Sequence, residues 1–147
     1  GDALDALAQD VVGDAEGLDH RGVALEHREQ AVVGDDDQGV DLAGELRYFE
    51  VAPGGHSTLE RHAHVHAVLI LRGRGRCLVG DTVHALHEHD LVTVPPKTWH
   101  QFRAAPDAPL GFLCMVDAAR DKPELPDDAV LAVLRANLGV AAFLDGR

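Results

Sequence analysis

The chain is short of cysteine, aromatic residues, long apolar runs and positive charge, and each shortage excludes something. Two cysteines, Cys77 and Cys114, permit one disulfide at most and no disulfide framework. Both sit inside apolar runs and read as reduced core thiols of a cytoplasmic protein. Apolar runs such as residues 67–71 fall far below the ~18–20 residues of a membrane span. No basic stretch followed by an apolar one opens the chain, so no signal peptide is expected. The first residue is Gly rather than Met, which reads as a fragment or a tag scar. A net charge of −12 argues against non-specific nucleic-acid binding and against anionic membrane surfaces.

What is present is a single-domain length of 147 residues with 46% hydrophobic residues, enough for a core. The charge is uneven. Residues 1–45 hold 13 acids against two bases, Arg21 and Arg28, so the remainder is almost neutral. Residues 1–47 use only nine residue types, all of which codons beginning with G or C can encode. Two readings follow: a genuine acidic extension, or the upstream part of a high-GC gene translated from a wrong start or frame. In either case the segment is expected to pack weakly, because it lacks aromatics and repels itself. Val11–Val12 and residues 31–33 are the places in it where short strands are expected. The organisation expected is an extension over 1–45, a barrel over 46–118, and a linker with a C-terminal helix over 119–147.

Strands are predicted at 46–51, 58–71, 76–79, 82–86, 90–94, 99–104 and 110–116, separated by Gly- and Pro-containing turns such as Pro53, Gly54 and Gly55. Short strands at such spacing predict an all-β antiparallel sandwich or barrel. Residues 120–126 form a polar, proline-bracketed linker. The spacing of Val130, Leu131, Val133 and Leu134 after two acids predicts a helix over 129–137, with a further helical turn at 140–144.

Histidine is the unusual residue: there are ten, and eight lie between His56 and His100. In the alternating stretch Glu60, His62, His64 and His66, residues two apart in a strand share a face, roughly 6.6–6.8 Å apart. The opposite face carries Ala63, Val65, Ala67, Leu69 and Leu71, so both faces ask for burial. The polar face is expected to line a cavity, where neutral imidazoles and a carboxylate suit one divalent transition metal: Fe, Mn, Ni, Co, Cu or Zn. The other readings are a surface histidine-rich strand and a fortuitous tag-like cluster. His56, His84, His87 and His89 lie near turns and read as solvent-exposed. Arg72, Arg74 and Arg76 alternate around two glycines, as in a solvated turn, with binding of an anionic substrate as the other reading. Phe102 is expected to face the cavity, Trp99, Phe112 and Met115 the core, and either Tyr48 or Phe49 the barrel interior.

The stretch from Gly54 to Ala104 resembles the cupin superfamily. The first cupin motif runs Gly, five residues, His-x-His, three or four residues, Glu, six residues, Gly. Gly54 and Gly73 fit its ends; Glu60 stands at the first His, His62 at the second and His66 at the Glu. The second motif is matched by Asp90, Pro95 and His100, with His89 and Lys97 in place of its two glycines. A register pairing His62 with His64 instead puts Val68 or Leu69 at the Glu position and fits worse. The resemblance implies an antiparallel jelly-roll barrel with a short C-terminal helical segment. It also implies metal ligands at His62, His66 and His100, with Glu60 as a further ligand or catalytic base and His64 in reserve. It implies a protein that acts on or binds a small molecule and is commonly a dimer. An isolated barrel would expose the stripe of Ala63, Val65, Ala67, Leu69 and Leu71, and the N-terminal segment looks too charged and the helix at 130–134 too short to cover it. The stripe is therefore expected at or near a homodimer interface, which light scattering checks. Dioxygenase-like chemistry on a small polar molecule leads. A non-catalytic binding or sensor domain, and the cupin part of a nitrogen–nitrogen bond-forming synthetase, are the alternatives.

Overall fold

The computed structural model describes residues 25–30, 44–117, 119 and 121–147. Among the described residues eight strands form two antiparallel sheets. The larger has the order β1 (Leu25–Gln30), β2 (Gly44–Val51), β8 (Leu110–Asp117), β3 (His66–Gly73), β6 (Leu91–Val94). The smaller has the order β5 (Thr82–Leu86), β4 (Gly75–Val79), β7 (His100–Ala104). Val51, Val68, Ile70, Val94, Leu110, Phe112 and Cys114 from the first sheet meet Cys77, Leu86, Phe102 and Ala104 from the second in one core. This is the jelly-roll arrangement expected, with two free, buried cysteines in its interior.

Glycine is required where strands turn closely. At Gly73 φ is +74°, and a Cβ would lie 1.8 Å from the Pro109 carbonyl oxygen. At Gly75 a Cβ would lie 2.2 Å from the Arg103 carbonyl oxygen, so the β4–β7 edge closes only over hydrogen. Among the described residues, His89 (φ 73°) and Lys97 (φ 56°) are the non-glycines in the left-handed region. They occupy the two positions where the second motif has glycine; the backbone shape is kept there at a steric cost of roughly 1–2 kcal/mol each.

Two short helices follow the barrel. In α1 (Asp128–Arg135) the Asp127 side chain caps the N-terminus by accepting from the Val130 N–H. In α2 (Leu138–Leu144) Asn137 does the same for Gly139 and Val140. Val140 and Phe143 of α2 pack on Leu78, which faces outward from the smaller sheet. The stripe on the far side of β3 is therefore not covered by these helices, and Val65, Leu71, Leu91 and Met115 are exposed. Met115, expected in the core, points out because β8 alternates and Cys114 and Val116 take the inward places.

The predicted strand over 58–71 is shorter and interrupted. Residues 56, 60 and 61 make isolated bridges, 62–65 bend, and β3 begins at His66. Arg61 pairs its backbone with Glu124, so the polar segment after β8 runs beside this stretch as a third layer of chain. β1 lies within the acidic extension and pairs antiparallel with β2 from Leu25↔Val51 to Gln30↔Leu46. The short strands expected at 11–12 and 31–33 lie outside the described residues. No described helix is long and apolar enough to cross a membrane.

Candidate metal centre

Three chain segments bring three imidazoles together. His66 opens β3, His100 opens β7, and His62 sits in the bend before β3, where its carbonyl accepts from the Lys97 N–H at 2.6 Å. Glu60 and His100 exchange both backbone hydrogen bonds, at 3.1 and 2.9 Å, which ties the bend to β7. One ligand atom from each of His62, His66 and His100 lies within 4.8 Å of the others. The bend draws the rings closer than a straight strand allows: His62 and His64 stack at 3.8 Å, and His62 and His66 lie 4.0 Å apart.

Hydrogen bonds fix which nitrogen faces the centre. His62 Nδ1 lies 2.9 Å from the His64 carbonyl oxygen, and His100 Nδ1 lies 3.0 Å from that of Thr98. A carbonyl only accepts, so both Nδ1 atoms carry the proton and donate. In a neutral ring each Nε2 then presents a bare lone pair. His62 Nε2 is buried and has no hydrogen-bond partner. A buried nitrogen lone pair left unpaired costs desolvation, and a cation between His62, His66 and His100 removes that cost. The donor set, three imidazole nitrogens with the tautomers of two set from behind, fits a transition metal.

Electrostatics agree with this. Burial, then the neighbouring imidazoles His62, His100 and His64, push His66 down to about 3. Burial pushes His100 down to about 4, against the raising effect of its Thr98 hydrogen bond. Burial also lowers His62. All three are neutral, ligand-competent bases near neutral pH. Glu60 lies outside the group of three. The residue is half-buried, and desolvation raises its carboxyl. His64 also lies outside it: its Nδ1 donates to Asp121 at 2.8 Å, while its Nε2 is 3.1 Å from His66 Nε2. Asp121 also accepts from the Ala63 N–H, chiefly for which reason its carboxyl is held well below the usual range. Nothing in the sequence marked Asp121 or Glu124 for the site, because they lie in a stretch that reads as a linker.

Beyond the histidines the interior holds a group of aromatic rings, with Arg47, paired to Glu45, near His66. Phe102 stacks on Phe112 at 4.8 Å and Phe49 on Phe112 at 5.6 Å, so Phe49 rather than Tyr48 lines the barrel. Burial pushes the Cys77 and Cys114 thiols up to about 12, so neither is a ready thiolate. Trp99 is half-buried under the Arg61 guanidinium rather than in the core.

A pH dependence follows for the metal-free protein. Above about 6.5 the imidazoles are neutral in both folded and unfolded chains. Below it the unfolded chain takes up protons that folded His66 and His100 refuse until about 3 and 4. The folded state is therefore expected to lose stability as the pH falls through this window. Glu60, raised in the fold, works the other way and softens the slope. Calorimetry after chelation checks this: melting temperature is expected to fall from pH 6.5 to 4, less steeply in His66→Gln. A flat or rising profile contradicts the assignment.

The Cupin domain model matches residues 47–116. The chain is 66% identical over 108 residues to the 1-methylthio-D-xylulose 5-phosphate methylsulfurylase of Rhodospirillum rubrum, covering 74% of this chain and 69% of that one. A crystal structure of a cupin-2 domain from the same organism superposes with a TM-score of 0.73 at 53% identity, over 89% of this chain and 93% of that one. A cupin 2 conserved barrel domain protein from Rhodopseudomonas palustris gives 0.71 at 50%, over 83% and 90%.

Proposed function

As this chain belongs to the cupin family, we propose that it is a metal-dependent enzyme acting on a small phosphorylated sugar that carries a methylthio group. The observation that carries the metal is the inward set of His62, His66 and His100, with the buried, unpartnered Nε2 of His62. The substrate class rests on the Rhodospirillum rubrum methylsulfurylase. That relative moves the proposal from oxygenation to carbon–sulfur chemistry, since it acts on a ketose whose sulfur-bearing carbon adjoins the carbonyl.

A divalent metal held by the three histidines supplies Lewis-acid polarisation of such a carbonyl oxygen. The protein's own residues do the rest. The Nδ1–H bonds of His62 and His100 to backbone carbonyls keep the Nε2 atoms directed at the centre. Phe49, Phe102 and Phe112 exclude water from the interior. Glu60, half-buried, raised by desolvation and bonded through its backbone to His100, is the residue we assign as the acid–base group.

The test is turnover of 1-methylthio-D-xylulose 5-phosphate by the metal-loaded chain, with and without added thiol, followed by phosphorus NMR. Conversion is expected in the wild type, with none in His62→Ala. An unchanged substrate that still binds would leave a binding or sensor domain. Oxygen uptake in the same sample would restore the dioxygenase reading.

A further inference from the structure

A second cluster of like charge lies outside the barrel, under the end of α2. Arg76 on β4 stands directly opposite Arg103 on β7 in the ladder. Like charges directly opposite repel. Both guanidinium groups sit over the Phe143 ring, at 5.6 and 5.7 Å. With Arg74 and Arg147 they line a cavity of about 330 Å³.

The carboxylates nearby pair with other arginines, two of them at the rim of the same cavity. Asp107 takes Arg74, while Asp145 takes both Arg135 and Arg147. Arg103 donates to the Leu144 carbonyl at 3.1 Å, but its Nε–H is buried without an acceptor. Among the described residues Arg76 has no carboxylate within ion-pairing distance. Two adjacent cations are thus held at a cavity with no ion pair of their own among the described residues, and Asp145 offsets Arg103 only beyond pairing distance. The Arg103 guanidinium is also lowered, first by burial and then by Arg76.

We infer that this cavity is a binding site for a tetrahedral oxyanion, phosphate or a phosphomonoester, gripped by the paired forks of Arg76 and Arg103. Guanidinium forks match the oxygens of such groups two at a time. The volume admits a phosphate with a small organic substituent. The site is separate from the histidines. Arg103 lies three residues, roughly 10 Å, along β7 from His100 and on the opposite face of the sheet. Phe102 and Ala104 point into the core on either side of it. A ligand here acts on the packing of α2 against the barrel.

The experiment is calorimetric titration of the full, metal-loaded chain with inorganic phosphate and with glycerol 3-phosphate, against chloride at equal ionic strength. Saturable binding of at least one phosphate compound is expected, weakened tenfold or more in Arg76→Gln and retained in His62→Ala. Preference for the monoester identifies an organic phosphate as the ligand; equal or better binding of phosphate identifies the free oxyanion. Arg76 makes no hydrogen bond or ion pair among the described contacts, so its substitution leaves the fold intact. The inference is overturned by no saturable binding of either compound, by undiminished affinity in Arg76→Gln, or by binding that disappears with His62 alone.

Discussion

His62→Ala and His100→Ala are each expected to abolish stoichiometric metal binding. Among the described residues His62, His66 and His100 form the group that could hold the ion, and both substituted residues are almost wholly buried, at 2% and 3% exposure. Each is also aimed by a backbone carbonyl behind it, while the neighbouring His64 is held by Asp121. Removing an outer partner of a metal ligand typically costs 10–100-fold in affinity, and removing the ligand itself costs more. A ligand at about 100 times its Kd stabilises the fold by about 2.7 kcal/mol. The wild type should therefore show a clear difference in melting temperature with and without chelator, and the two variants almost none. Metal content by mass spectrometry on untagged protein gives the direct readout. His66→Ala should behave like His62→Ala, while His64→Ala keeps its metal. Loss in His64→Ala but not in His66→Ala would select the alternative register, and full metal in both His62→Ala and His100→Ala would refute the centre.

That centre was legible because its evidence is local: a spacing of histidines around two glycines and a lone His100 after Pro95. What the spacing could not show was the bend at 62–65. A regular strand was expected from alternation alone, but its backbone partners come from Lys97, His100, Asp121 and Glu124, all far along the chain. Pairing that depends on distant chain leaves no periodic trace. The same holds for β1, whose residues Leu25–Gln30 carry only one apolar member and become a strand by lying against β2. The C-terminal helices were easier, since apolar spacing and the capping residues Asp127 and Asn137 are written in adjacent positions. His89 and Lys97 show the reverse case. By residue type neither asks for a left-handed backbone, yet the turns into β6 and β7 impose it.

Phe143→Ala is expected to destabilise the protein by about 3–5 kcal/mol, as loss of a fully buried aromatic ring does. Phe143 is completely buried, and with Val140 and Leu78 it forms the centre of the contact between α2 and the smaller sheet, with Val83 and Leu144 packed beside it. A seven-residue helix has too few internal hydrogen bonds to persist alone. It exists because this ring holds it, helped by the Asn137 cap and the Asn137 hydrogen bond to the Asp81 carbonyl. At roughly 2–4 °C per kcal/mol for a chain of this size, the melting temperature should fall by about 6–20 °C. The ring also lies beneath Arg76 and Arg103, so its loss leaves two neighbouring cations without their shared aromatic surface. Phosphate affinity should fall with stability. The histidines lie on the other side of the sheet, in contact with the inner core rather than with Phe143. Metal content should therefore be unchanged in the folded variant. Denaturant unfolding with parallel metal analysis checks both parts. A loss under 1 kcal/mol would mean that α2 is an appendage, and a loss of metal would mean that the two faces of the smaller sheet are coupled.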